Sequence, residues 1–104
     1  MKLVYLSHPY TGNERKNRQN ARKLCSELKQ KNRFWCIFNP LDAFQWVEKT
    51  KLKYDAVMEM CMEILTSCDA IYMCKGWENS KGCQREKKEA ETMGIEVIYD
   101  GRDD

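Results

Sequence analysis

Four short apolar runs, at residues 2–7, 34–38, 70–74 and 95–99, alternate with longer segments whose apolar residues recur at steps of three and four. Short runs bounded by turn-forming residues read as strands, and steps of three and four read as helices with one packed face. The first run, Lys2-Leu3-Val4-Tyr5-Leu6-Ser7, opens into His8-Pro9-Tyr10-Thr11-Gly12-Asn13, where Pro and Gly interrupt regular structure. From Asn13 to about Lys31, Ala21, Leu24, Cys25 and Leu28 form a stripe on an otherwise polar segment, which predicts the first helix. Residues 34–38 are too few and too aromatic for a helix and predict the second strand. A short helix is expected over Leu41–Glu48 and a longer one over Tyr54–Cys68, with Tyr54, Val57, Met58, Cys61, Met62 and Leu65 on its stripe. Ala70–Cys74 is continuously apolar, as a buried parallel strand would be. A helix from about Ser80 to Met93, closed by Gly94, leads to a last strand at Ile95–Tyr99.

This alternation predicts an α/β fold: a Rossmann- or flavodoxin-like open parallel sheet of about four strands, with helices on both faces and right-handed crossovers. Residues 1–100 are expected to form a single domain and residues 101–104 a polar tail outside it. Ligands of such sheets lie beyond the carboxyl ends of the strands, near a topological switch point, which singles out the loops at 7–13, 39–42 and 75–82.

Charge and cysteine content narrow the partners. The 18 basic residues are nearly balanced by 16 acidic ones, so the chain lacks the basic excess of a nucleic-acid binder. Arg15, Lys16, Arg18, Arg22 and Lys23 are locally concentrated. They read either as a solvated helix face or as local help in holding a phosphate. No apolar run approaches the roughly 18 residues of a membrane span, and the amino terminus is too short for a signal peptide, so a cytosolic protein is expected. None of the six cysteines forms a C-x-x-C pair, which favours reduced thiols packed as small hydrophobes. His8 is the sole histidine, leaving little to build a metal site or a histidine triad; no metal and no cofactor are expected.

Two loops carry the candidate chemistry. Ser7 to Asn13 joins a strand to a helix amino terminus, where backbone N–H groups favour an anion and the hydroxyls of Ser7 and Thr11 add donors. In Gly76-Trp77-Glu78-Asn79-Ser80-Lys81-Gly82-Cys83-Gln84-Arg85-Glu86, Ser80 is a sound N-cap. Gly82 is a poor helix residue unless something approaches the backbone closely. Glu86 shares a helix face with Cys83, Ala90 and Met93, so it reads either as a buried carboxylate that must be paired or used, or as an edge position turned toward water.

Tyr5 in the first strand, the loop Ser7-His8-Pro9-Tyr10-Thr11-Gly12, Ser67-Cys68-Asp69-Ala70 and Gly-Trp-Glu-Asn-Ser-x-Gly-x-x-x-Glu together resemble the nucleoside 2-deoxyribosyltransferase superfamily. They are most similar to a group of short prokaryotic and phage proteins assigned to it. The resemblance covers nearly the whole chain. It implies that Glu86 is the nucleophile at the anomeric carbon of a nucleotide or nucleoside, that Tyr5 orients it, and that Ser7, His8, Pro9, Thr11 and Gly12 hold the 5′ end of the sugar or its phosphate. Ser80 falls where deoxynucleoside 5′-monophosphate hydrolases carry a serine that contacts phosphate, and where transferases acting on free nucleosides carry an acid. Beside it, Gly82 would let backbone approach the ligand, and Trp77 either stacks on a base or packs against its helix.

The chain departs from the superfamily at its usual general acid, an aspartate eight residues before Asp69, because Cys61 stands there. A departing base needs a proton, so Asp55 or Glu59 would have to substitute. Asp69 begins a strand at the opposite end of the sheet and is expected to be structural. The implied activity is cleavage or transfer of the N-glycosidic bond of a 2′-deoxynucleoside 5′-monophosphate or related nucleotide. A nucleotide-binding module without turnover and, from Thr11-Gly12, a flavin-binding protein are the other readings. The superfamily's habit of completing sites from a neighbouring subunit implies a homo-oligomer.

Overall fold

The computed structural model describes residues 1–101; of the polar tail read at 101–104, all but Gly101 lies outside the described residues. The chain runs β1 (Lys2–Ser7), α1 (Glu14–Lys31), β2 (Trp35–Phe38), α2 (Pro40–Ala43), α3 (Tyr54–Leu65), β3 (Ala70–Met73), α4 (Lys81–Thr92) and β4 (Glu96–Tyr99). Single 3₁₀ turns at Gln45–Lys49 and Trp77–Asn79 complete it. The four strands form one sheet in the order β2-β1-β3-β4, every pair parallel.

Side chains two apart on a strand point to the same face, and this alternation sorts the core into two layers. Val4, Leu6, Ala70 and Tyr72 pack with Ala21 and Leu28 of α1. On the other face Tyr5, Ile71 and Met73 pack with Cys61 and Leu65 of α3 and with Cys83 and Ala90 of α4. Right-handed crossovers require this division, because β1 passes to β2 in one direction while the later connections run the other way. The chain therefore reverses direction between β1 and β3, and their carboxyl ends frame the switch-point crevice.

Three elements differ from expectation. The helix expected over Leu41–Glu48 is split: Asn39 caps α2 by accepting from the Leu41 N–H, but the helix yields at Phe44, whose ring turns onto Phe38 in the core at 6.1 Å. The helix expected to reach Cys68 ends at Leu65, where the Thr66 hydroxyl donates to the Glu63 carbonyl and tight turns lead into β3. Part of the expected 75–79 loop is a 3₁₀ turn entered through Gly76, whose φ of +94° lies in the left-handed region. Pro9 sits 3.5 Å from where a Cβ on Gly76 would stand, so the two switch-point loops touch there.

The six cysteines are free, and four of them are buried. Of the basic residues concentrated on α1, Arg15, Lys16, Arg22 and Lys23 are exposed, as on a solvated face, and two of the cluster also meet carboxylates of the 42–48 segment: Arg18 meets Glu48 at 2.7 Å and Arg22 meets Asp42 at 2.6 Å. The Tyr10 hydroxyl also donates to Glu48, so these contacts tie the first loop and α1 to the segment that precedes α3. Among the described residues no helix is long and apolar enough to cross a membrane.

Candidate active site

Glu86 lies in the second turn of α4 on the face turned to the sheet, between Cys83 and Ala90, and is 6% exposed. Of the two readings of its position, the buried one holds. Tyr5 and Ser7, two apart on β1, share the face beneath it. The Tyr5 hydroxyl donates to Glu86 Oε2, and the Ser7 hydroxyl donates to Oε1 at 2.8 Å. Each carboxylate oxygen thus accepts one hydrogen bond and keeps a further lone pair.

Burial pushes the Glu86 carboxyl up to about 7, against the two hydrogen bonds, which favour the charged form. Burial, with the Glu86 charge second, drives the Tyr5 phenol far above its ordinary value, so Tyr5 keeps its proton and donates a hydrogen bond with it to Glu86. The pair is a carboxylate poised near neutrality and held in one orientation, the property required of a nucleophile or a general base.

Ser7 was expected among the ligand-holding donors. It is fully buried and its hydroxyl is spent on Glu86, so the structure moves it from the ligand side to the carboxylate side. That role was legible in principle, because residues two apart on one strand share a face. The rest of the first loop turns elsewhere. His8 Nδ1 donates to the Pro9 carbonyl at 2.7 Å, while Thr11 and Gly12 form its exposed tip, with Gly12 at φ +105°. His8 and Pro9 line a cleft on the α1 side of the sheet with Asn17, Asn20, Lys75 and Asp100; Glu86 is on the opposite side. The sequence-derived set thus separates across the sheet.

Ser80 caps α4, its hydroxyl oxygen accepting the Cys83 N–H at 3.2 Å. Trp77 packs 5.8 Å from the Tyr99 ring, with Lys87 Nζ over its own ring at 5.4 Å. Asp69 accepts the Leu3 N–H at 2.8 Å and joins β1 to β3 at their amino ends. Cys61 is a buried core residue whose thiol is pushed up to about 11 by burial, opposed by its hydrogen bond with Tyr5. Asp55 and Glu59 are exposed on α3, whereas Glu86 is hydrogen-bonded to Tyr5 and Ser7. No group of three or more His, Cys, Asp or Glu suited to a metal ion occurs among the described residues.

Tyr54, expected on the packing stripe of α3, stands largely outside the core. Tyr54 is 53% exposed, and its hydroxyl stands 3.0 Å from the position a Cβ on Gly82 would take. Gly82 therefore makes room for a neighbouring phenol. The signal was present in the combination of a helix-interior glycine and a tyrosine four residues before Met58 on the same stripe.

Residues 2–99 match the family described as Domain of unknown function (DUF4406). No curated protein matches the chain. Among solved structures, a 2-desoxiribosyltransferase from Leishmania mexicana shares the fold with a TM-score of 0.61 at 18% identity, over 95% of this chain. The aligned region spans 63% of that protein.

Proposed function

The chain belongs to the family described as Domain of unknown function (DUF4406), and from that footing we propose that it cleaves or transfers the N-glycosidic bond of a 2′-deoxynucleoside 5′-monophosphate or related nucleotide through Glu86. The observation that carries this reading is the buried carboxylate held by Tyr5 and Ser7 beside the switch-point crevice. The motif resemblance to nucleoside 2-deoxyribosyltransferases, and through it to short prokaryotic and phage proteins, supports the same chemistry, as does the fold shared with a protein of that name.

In the proposed reaction a free lone pair of ionised Glu86 attacks the anomeric carbon. The C–N bond breaks, its electron pair leaves with the base, and the base takes a proton from Asp55 or Glu59, the groups proposed in place of the superfamily's acid. Water, giving its proton back to that group, then attacks the glycosyl ester for hydrolysis, or a second base attacks it for transfer, and Glu86 is released. Tyr5 and Ser7 fix the carboxylate and spread its charge. Ser80 suits a phosphate at the 5′ end: its oxygen accepts from Cys83, yet its O–H remains able to donate. Neighbouring subunits are proposed to complete the site in a homo-oligomer.

Incubation with a panel of deoxynucleoside monophosphates, followed for free base, tests the proposal. Wild-type protein should release base, and Glu86→Gln should bind but release none, because an amide cannot form the ester. Equal turnover by the two proteins would remove Glu86 from the mechanism. A second reading, a nucleotide-binding module without turnover, is favoured by Cys61 at the usual acid position, since a buried thiol raised to about 11 is a poor proton donor. Binding without base release in the wild type would establish it.

A further inference from the structure

We infer that Tyr54 is a specificity-determining residue of this site, its hydroxyl standing over Gly82, where it can donate a hydrogen bond to the phosphomonoester end of the ligand. The inference rests on the proposed nucleotide reading and adds to it a residue that the family motif does not contain.

Tyr54 is the first residue of α3, on the side of that helix which continues into buried Met58, Cys61 and Leu65. A tyrosine in that direction would ordinarily enter the core. Tyr54 instead leaves more than half its surface in water and reaches the first turn of α4 with its hydroxyl. A Cβ at position 82 would stand 3.0 Å from that hydroxyl oxygen, 3.9 Å from Met58 Sδ and 4.0 Å from Ser80 Oγ. The missing Cβ thus lets a phenol and a serine hydroxyl flank one helical turn, and glycine in a helix is otherwise unfavourable.

No hydrogen bond engages the Tyr54 hydroxyl among the described residues, whereas the hydroxyls of Tyr5 and Ser7 are committed to Glu86. Burial, and then the Glu86 charge, hold the Tyr54 phenol above its ordinary value, so it remains protonated and presents a donor. Tyr54 and Ser80 together place two neutral donors beside the start of α4, which suits an anionic oxygen better than a sugar hydroxyl. Phenylalanine would keep the ring and its packing and remove only the donor.

Calorimetry with four deoxynucleoside monophosphates and their matching nucleosides tests this. Tyr54→Phe should weaken monophosphate binding about tenfold, the value of one hydrogen bond to a charged group, and leave nucleoside binding and melting temperature unchanged. Gly82→Ala should produce a similar selective loss in the wild-type background and little further loss in the Tyr54→Phe background, where no hydroxyl meets the added methyl. Unchanged monophosphate affinity in Tyr54→Phe, or equal losses for nucleotide and nucleoside, would overturn the inference while the wild-type preference for monophosphates left the nucleotide reading standing. Wild-type affinities equal for nucleotide and nucleoside, or no binding by any of the eight ligands, would overturn both.

Discussion

Replacing Glu86 by glutamine should stabilise the protein at alkaline pH relative to acid pH while abolishing its proposed chemistry. An unfolded glutamate ionises near its ordinary value of 4.5, whereas the folded state holds the proton up to about 7, chiefly through burial. A folded-state pKa raised in this way means that the associated stability is fully present below the unfolded value and is lost as pH rises through the folded one. The gap corresponds to roughly 3 kcal/mol, most of which falls between about pH 5 and about pH 8. Glutamine does not titrate and carries no such loss. It does disturb the hydrogen bonds, since its amide offers one acceptor and one donor group where the carboxylate accepts from both Tyr5 and Ser7. That cost is the same at both pH values and cancels when they are compared. Urea unfolding of the two proteins at each pH therefore isolates the carboxylate, and the stability of the variant relative to wild type should rise by roughly 2 to 3 kcal/mol on going to the higher pH. A relative stability that stays flat, or falls with pH, would refute the claim that Glu86 is buried against its own ionisation.

The same balance governs catalysis, because the ionised form must attack: base release should rise through about pH 7 in the wild type. Tyr5→Phe removes one of the two hydrogen bonds that lower the Glu86 value, so the rising limb of the pH–rate profile should move to higher pH; an unmoved limb would show that Tyr5 does not tune the carboxylate. Ser80→Asp retains an N-cap of equal quality, so melting should change little. The added charge should nevertheless narrow or reverse the preference for monophosphates over nucleosides, and calorimetry showing an unaltered preference would detach Ser80 from phosphate recognition.

Much of this architecture could be read from local pattern. The apolar runs announce β1, β2, β3 and β4, because alternating or continuous apolar side chains are what a covered sheet must present, and Gly94, at φ +73°, closes α4 as its position suggests. Helical periodicity placed Glu86 on the same stripe as Cys83 and Ala90, since the angle between successive side chains on a helix is independent of what the helix packs against. Sequence left open what lies opposite that stripe. Tyr5 and Ser7 meet Glu86 across 81 and 79 residues of chain only because β1 lies between β2 and β3 and α4 crosses on the face of its odd-numbered residues. The same long-range geometry decided that Arg18 and Arg22 bind acids of the 42–48 segment, that Phe44 interrupts a helix to fill the core, and that Tyr54 rests over Gly82. Periodicity fixes the direction of a side chain from its own element, whereas its partner depends on strand order and crossover, which are settled by burying all the elements together.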